Sequence, residues 1–481
     1  MNRENLQQAA HEEMLEHGFR PDFPPQLEIQ IASIRVAAPV VAGPAVKDLR
    51  NLLWSSIDND TSRDLDQIEY AERQPDGSTR VLVGIADVDG SVLKGTPIDL
   101  YAAQECVSVY TGVETFPMLP EELSTNLTSL LENADRAAVI IDFSVTAGGI
   151  VQSGQTYRAL VRNRAQLTYN AVGAWLGKTG EAPPKVAASA DLQQQLQLQD
   201  DIAQRMRAAR FKSGALAIDS IETAPTLVNG EITGLQTMLK NRATELIEDF
   251  MVAANEVIAR LLSSSGVAAI RRVVKTPERW PRIVELAAGL GETLPPTPDS
   301  SALNNFLMKR RDVDPVHAPD LSLAVVKLMG PGEYVVERPG DSPTGHFGLA
   351  VLDYTHATAP NRRFADLVTQ RLIKWGQEAY TAEELDVIAG NCTLREDAAR
   401  KVERAIKKRI AAVALSPHIG EIFNGVVTGV TPKGTFVRIF DPPAEGRVVR
   451  GEQGLDVGNQ IQVKLLDTDT QRGFIDFGRT S

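Results

Sequence analysis

The stretch Ser56-Ile57-Asp58-Asn59-Asp60-Thr61-Ser62-Arg63-Asp64-Leu65-Asp66-Gln67 places four aspartates within nine residues. Like charges this close repel, and carboxylate oxygens are the ligands that hard Mg²⁺ or Mn²⁺ select, so a metal site is the economical explanation. Asp64 and Asp66 would share one face of a strand beginning there, with Asp58 returning across the turn to meet them. Working outward, Arg80–Val88 (RVLVGIADV) and Ala137–Val145 (AAVIIDFSV) read as strands, and Pro75-Asp76-Gly77-Ser78 reads as a hairpin turn. A mixed sheet is the expected scaffold, and folding the hairpin should bring Asp87 opposite Asp66.

Helical periodicity dominates elsewhere. Residues 3 to 17 read as a helix closed by Gly18, and apolar residues recur at three and four through Thr244–Leu262 and Phe364–Tyr380. A charged helix, Arg395–Leu415, leads to Pro417, after which five short β-rich runs separated by glycines imply a small closed barrel. The expected class is therefore α/β (α+β), with a small helical N-terminal unit and a C-terminal five-stranded closed barrel. The chain has 481 residues, 62 Asp plus Glu against 50 Lys plus Arg, and 43% hydrophobic residues, which excludes disordered and collagen-like architectures. Cys106 and Cys392 lack Cys or His partners at short spacing, so neither a disulfide framework nor a zinc knuckle is readable, and a reducing, cytoplasmic setting is expected. No run approaches the roughly 18 apolar residues of a membrane helix, and the N-terminus lacks an apolar signal core. A formal charge of -12 argues against a globally basic nucleic-acid binder but leaves local basic channels open. Candidates for such channels are Arg271-Arg272, Lys309 to Arg311 and Lys407 to Arg409, each also readable as a solvated face.

The acidic stretch has three readings. One is a solvated loop. Another is a calcium loop, because Asp58, Asp60, Ser62, Asp64, Asp66 and Glu69 fall on the EF-hand ligand positions, although Arg63 replaces the turn glycine and Pro75 and Gly77 would cut short the following helix. The third is catalytic metal binding, and here the chain resembles the ribonuclease II and ribonuclease R family, whose RNB domain opens with I-D-x5-D-x-D-D. Ile57, Asp58, Asp64 and Asp66 match, while Gln67 stands where the fourth aspartate belongs. Further segments follow in the family's order: Ile85–Val88, Val107–Tyr110 (VSVY), Phe116–Ser124, Leu167–Val172 (LTYNAV), Leu246–Asn255 and Gly345–Leu367 (GHFGLAVLDYTHATAPNRRFADL). The closing barrel, around Gly425–Val437, resembles the S1 RNA-binding domain, which implies a five-stranded OB-fold β-barrel. Family members typically carry two cold-shock-like barrels before the catalytic domain, whereas only about 48 residues precede it here.

The resemblance implies an N-terminal helical region over 1–48, an RNB catalytic domain over 49–416 and an S1-type barrel over 417–481. It implies a 3′–5′ exoribonuclease that processively hydrolyses single-stranded RNA to nucleoside 5′-monophosphates by a two-metal-ion mechanism, with Mg²⁺ or Mn²⁺ as cofactor. Asp58, Asp64, Asp66 and Gln67 are the implied metal ligands, with Asp58 and Gln67 at the more tightly held ion. Asp66, Asp64 and Arg362 are the implied catalytic residues. Tyr110 would stack on the terminal base, and Ile218 takes the place of the family's second aromatic. Glu248, sharing a helical face with Met251 and Asn255, is a candidate nucleotide contact, and Arg363 a candidate RNA contact. In the barrel, Phe423 and Phe436 are candidate stacking residues, with Arg447, Lys433, Arg438 and Arg450 available for phosphates. His356 is read as a buried, hydrogen-bonded residue outside catalysis. Single-stranded RNA is the expected partner, DNA and membranes are not, and a monomer is expected. The rival from another class is an RNA-binding relative whose metal centre, lacking the fourth aspartate, has lost hydrolysis.

Overall fold

The computed structural model describes residues 3–37, 39–219, 222–228 and 231–480. Its central sheet grows from the acidic stretch. Strand Trp54–Asp58 ends on Asp58, the loop turns, and strand Gln67–Arg73 begins directly after Asp66. Gln67–Arg73 then forms a hairpin with Thr79–Ala86, closed by a Gln74 N–H to Ser78 carbonyl bond of 2.8 Å, with Gly77 at φ +83°. A left-handed φ is open to glycine at no steric cost, which is why the turn sits there. The strand after the acidic loop also excludes the calcium-loop reading, since an EF-hand needs a helix at that point.

The hairpin register corrects one expectation. Gln67 pairs with Ile85 and the Ala86 N–H bonds the Asp66 carbonyl at 2.9 Å, so Asp66 lies opposite Ala86 rather than Asp87. A one-residue offset reverses the face. Asp87 is accordingly buried away from the acidic cluster, held by Arg158 at 2.8 Å and by Lys374.

Strand Asp135–Val145 adds antiparallel to Thr79–Ala86, and Val151–Thr168 folds back on it. At 18 residues this last strand outruns its partner, and its far end pairs in parallel with Trp54–Asp58, so the sheet curls back on itself. Thr168 is thereby set beside Asp58, and the helix Tyr169–Leu176 starts at the acidic loop.

Helix Arg242–Ser264 opens with a capping box between Asn241 and Thr244 and buries Leu246, Ile247, Phe250, Val257 and Ile258 in the sheet core. Each such side chain contributes roughly 1.5–3 kcal/mol. Helix Ala190–Lys212 lies along strand Gln67–Arg73, where Gln195 accepts from the Ala71 N–H at 2.6 Å and donates to its carbonyl at 2.9 Å. The 34-residue helix Ala382–Leu415 carries the N-terminal helix Arg3–Glu16 on its side through Leu6, Ala10 and Met14 against Val402, Ile406 and Ile410. Val109, Val113 and Phe116, from the small hairpin that bears Tyr110, join the same cluster. Ala412 and Leu415, at the end of the long helix, pack into the core of a closed five-stranded barrel built from Ile422–Thr431, Gly434–Ile439, Ala444–Arg450, Gln460–Asp469 and Phe474–Arg479.

Several basic residues prove to be structural. Arg438 forks onto Asp320 at 2.7 and 2.5 Å, tying the barrel to helix Ala318–Met329, so it is not free for phosphates. Arg271 and Arg272 lie buried on strand Ala269–Val273 against Glu337 and Glu396. Lys309, Arg311 and Arg409 pair with Glu292, Asp219 and Glu13. Burial and pairing account for these residues, while Lys407 and Lys408 of the last cluster are exposed. No helix among the described residues is long and apolar enough to cross a membrane.

Arg371 is a deeply buried charge, its side chain 2% exposed, and donates to Asp89 (2.9 Å), Asp99 (2.7 Å), the Tyr380 hydroxyl and the Val92 carbonyl (both 2.6 Å). Arg371→Ala leaves two carboxylates buried without their partner and should lower unfolding free energy by about 3–5 kcal/mol, read from the shift in denaturant midpoint.

Candidate active site

The acidic loop is fixed from beneath by Ser129, whose hydroxyl accepts from the Leu65 N–H at 3.0 Å and donates to the Arg63 carbonyl at 2.6 Å. A second segment, far away in sequence, closes over it. Val107 bridges Arg363, the Ser108 N–H bonds the Arg362 carbonyl at 3.0 Å, and the Phe364 N–H bonds the Cys106 carbonyl at 2.8 Å. These bonds stitch the segment leading to Tyr110 onto the one carrying Arg362. The latter is itself set by Asn255, whose side-chain oxygen accepts from the Ala357 N–H at 2.9 Å, and by Asp366, which accepts from the Ala359 N–H at 2.8 Å. Arg363 forks onto Asp366 with two 2.8 Å bonds, so its guanidinium braces this turn.

Asp66 is the centre of the arrangement. It is 3% exposed, its Oδ1 accepts from the Asn361 N–H at 3.0 Å, and Arg362 Nε lies 3.8 Å from Oδ2. Burial pushes its carboxyl up to about 7, against the opposing pull of Arg362 and the Asn361 N–H, and the charge of Asp64 adds to the rise. Asp58 accepts from the Asn59 N–H at 2.7 Å and from the Ser62 hydroxyl at 2.8 Å, yet burial still raises its carboxyl, with Asp64 again adding. Asp64 accepts from the Tyr110 hydroxyl at 3.4 Å. Gln67 is buried at the first position of its strand. The structure thus gathers Asp58, Asp64, Asp66, Tyr110 and Arg362. Beside them a pocket of about 190 Å³ is lined by Val107, Tyr110, Arg362, Arg363, Glu396 and Glu403.

Other expected residues lie elsewhere. Glu248 receives Lys240 at 2.9 Å, with Arg207 at 3.7 Å. Ile218 packs partly buried against the cluster around Trp280 and Ile283. Phe423 packs half-buried against the barrel core, and Phe436 sits directly across from the exposed Arg447 on neighbouring strands. His356 bonds the Tyr334 hydroxyl at 2.8 Å, and burial followed by nearby arginines drives its ring well below the ordinary imidazole range, so it is a neutral structural residue.

Two further residues, Tyr169 and Glu69, were given no role by the family motifs, although Glu69 stood in the calcium-loop pattern. Tyr169, first in its helix, feels the charges of Asp58, Glu69 and Arg362. Its sequence signal was its place immediately after a long strand. Glu69 is fully buried on strand Gln67–Arg73 with both carboxylate oxygens unpartnered, and its signal was a charge set between Ile68 and Tyr70.

The donors suit a divalent cation. They are hard oxygens, and the buried negative charge exceeds what Arg362 at 3.8 Å offsets. Among the described residues, however, no three His, Cys, Asp or Glu side chains form a preformed metal cage. Asp58, Asp64 and Asp66 each turn to a local donor, as mutually repelling carboxylates do.

The RNB domain model matches residues 46–376, well over half of the chain. The chain belongs to the RNB family. A second model, the RNase II-type exonuclease C-terminal S1 domain, matches residues 421–480. Ribonuclease R of Vibrio cholerae is 30% identical over 90% of this chain and 54% of its own length, and that of Escherichia coli is 30% identical over 94% and 55%. This RNB chain therefore spans about half the length of the curated relatives it matches. Among solved structures, Mycoplasma genitalium RNase R in its apo form superposes with a TM-score of 0.87 at 23% identity, covering 98% of this chain and 78% of that one. Yeast Ssd1, described as a pseudonuclease, superposes at 0.70 with 15% identity over 97% and 57%.

Asp366→Ala would strand the Arg363 guanidinium and the buried Ala359 N–H together. It should destabilise the protein by about 3–5 kcal/mol, with the loss visible as a lower melting temperature.

Proposed function

We propose that this protein is a 3′–5′ exoribonuclease that hydrolyses single-stranded RNA processively to nucleoside 5′-monophosphates by a two-metal-ion mechanism. Its catalytic body would span 49–416, flanked by the helical region 1–48 and the barrel 417–481. The observation that carries the reading is the junction of Asp66 with Asn361 and Arg362, segments 295 residues apart, which points a buried carboxylate and a half-exposed guanidinium at one place. Support comes from the RNase R relatives and from a structural neighbour, at a TM-score of 0.88, that is Mycoplasma genitalium RNase R in complex with ribose-methylated single-stranded RNA.

Asp58, Asp64, Asp66 and Gln67 would hold Mg²⁺, with Mn²⁺ as the substitute. When bound, the ions supply Lewis acidity and an activated water for attack on phosphorus. Tyr110, 38% exposed with its hydroxyl on Asp64, offers a ring against the terminal base. Arg362 braces the non-bridging oxygens as negative charge grows on them. Phe436 and Arg447, adjacent on the barrel, would receive the strand further back, and the ribose 2′-hydroxyl would exclude DNA. The cytoplasm is the expected compartment.

One observation favours a second reading. Gln67 removes a formal charge, and the fold is shared with a pseudonuclease, so the chain could bind RNA without cutting it. End-labelled single-stranded RNA with Mg²⁺ or Mn²⁺ separates the two. Wild type should release mononucleotides, Asp66→Asn should bind RNA without releasing any, and intact RNA with wild type in both metals would establish the second reading. Arg362→Ala should slow release by about 10²–10³-fold, the scale of a lost transition-state contact. Tyr110→Ala should weaken RNA binding by about 1–3 kcal/mol, measured by titration with Asp66→Asn protein.

A further inference from the structure

Asn361 brings a side chain to the site as well as its main-chain N–H. It is 1% exposed, its Oδ1 accepts from the Thr128 hydroxyl at 2.7 Å, and its Nδ2 has no hydrogen-bond partner. A donor withdrawn from water without an acceptor lowers stability, so a buried amide of this kind calls for a reason beyond packing. Thr128, itself buried, points to one. Its hydroxyl has a single hydrogen, and two oxygens lie within reach, Asn361 Oδ1 and the Leu123 carbonyl at 2.9 Å. The Leu123 carbonyl already accepts from the Thr128 N–H at 3.0 Å, so the hydroxyl hydrogen is available to Asn361 at the shorter distance. That bond orients the residue whose N–H holds Asp66 Oδ1 at 3.0 Å.

The next residue in the chain acts on the other half of the site. Ser129 accepts from the Leu65 N–H and donates to the Arg63 carbonyl, bracing the acidic loop on both sides of Asp64. Thr128 braces the turn that carries Asn361 and Arg362, 233 residues further along. Arg136 in turn donates to the Ser129 carbonyl at 3.0 Å and holds this dipeptide in place. Two adjacent side chains on one tethered backbone thus hold the two segments whose meeting sets Arg362 Nε 3.8 Å from Asp66 Oδ2.

We propose that Thr128 is a positioning residue of the active site: through Asn361 it keeps Asp66 Oδ1 on the main chain and leaves Oδ2 to Arg362 and an incoming cation. Without the Thr128 hydroxyl the Asn361 amide is stranded at both ends, and the turn shifts to relieve it, loosening the N–H from Asp66. An apolar side chain at position 361 makes no such demand. This rests on the metal-dependent reading given above.

The test uses the full chain and reads Mn²⁺ affinity by calorimetry beside kcat and KM on single-stranded RNA. Thr128→Val keeps the shape and loses the hydroxyl. It should bind Mn²⁺ about 10–100-fold more weakly and lower kcat by a similar factor with KM nearly unchanged, as loss of a contact behind a metal ligand does. Thr128→Ala should lose both alike, and Thr128→Ser, which keeps the hydroxyl, should retain them. Adding Asn361→Leu to Thr128→Val removes the stranded amide and should recover most of both losses, which a general loss of packing would not allow. If Thr128→Val and Thr128→Ala match wild type in affinity and kcat, or if Asn361→Leu recovers nothing, this inference falls while the nuclease reading stands. If wild type neither binds Mn²⁺ nor digests RNA, the functional reading falls and takes the inference with it.

Discussion

A carboxylate withdrawn from water is the constraint around which this molecule is arranged. Asp66 is nearly inaccessible, and burial without compensation would be severely unfavourable. The Asn361 N–H and the Arg362 guanidinium offset part of that, and both belong to a turn that holds its shape only because Asn255, Asp366 and Arg363 satisfy its backbone. Helix Arg242–Ser264 must therefore sit correctly on the sheet before the acidic loop has its counterpart. Local order at the site follows from tertiary packing, not the reverse.

The same constraint explains the posture of the other acids. Asp58 and Asp64 are separately engaged by Ser62 and Tyr110, so the cluster is poised rather than converged. Mutual repulsion opposes convergence until positive charge arrives. Burial and like charge raise the carboxyls of Asp58 and Asp66, with Arg362 opposing the rise in both.

Much of this was legible in the chain. Hairpin and helix signals gave the sheet strands, the capped helix Arg242–Ser264 and the five-stranded barrel, because turn glycines and apolar periodicity are local. The segments bearing Asp66, Tyr110 and Arg362 were readable as family motifs, and the structure joins them. Register was not legible: the offset that sends Asp87 to Arg158 and Lys374 depends on pairing across the hairpin. Nor was pairing of charge. Arg438, Arg271 and Arg363 look alike in sequence to any phosphate-binding arginine, and only the fold shows them bound to Asp320, Glu337 and Asp366. Glu69 was visible as a ligand position of a calcium loop, but its burial without a partner is a property of the packed strand.

Strand Gln67–Arg73 meets Trp54–Asp58 only through Ser55 and Glu69, so the outer part of one edge would carry free amides and carbonyls. Gln195 occupies that edge by bonding both main-chain groups of Ala71, imitating a neighbouring strand with a single side chain. An exposed edge is an invitation to sheet extension between molecules. The helix bearing Gln195 thus covers the main chain at Ala71, where another strand would otherwise find open donors and acceptors.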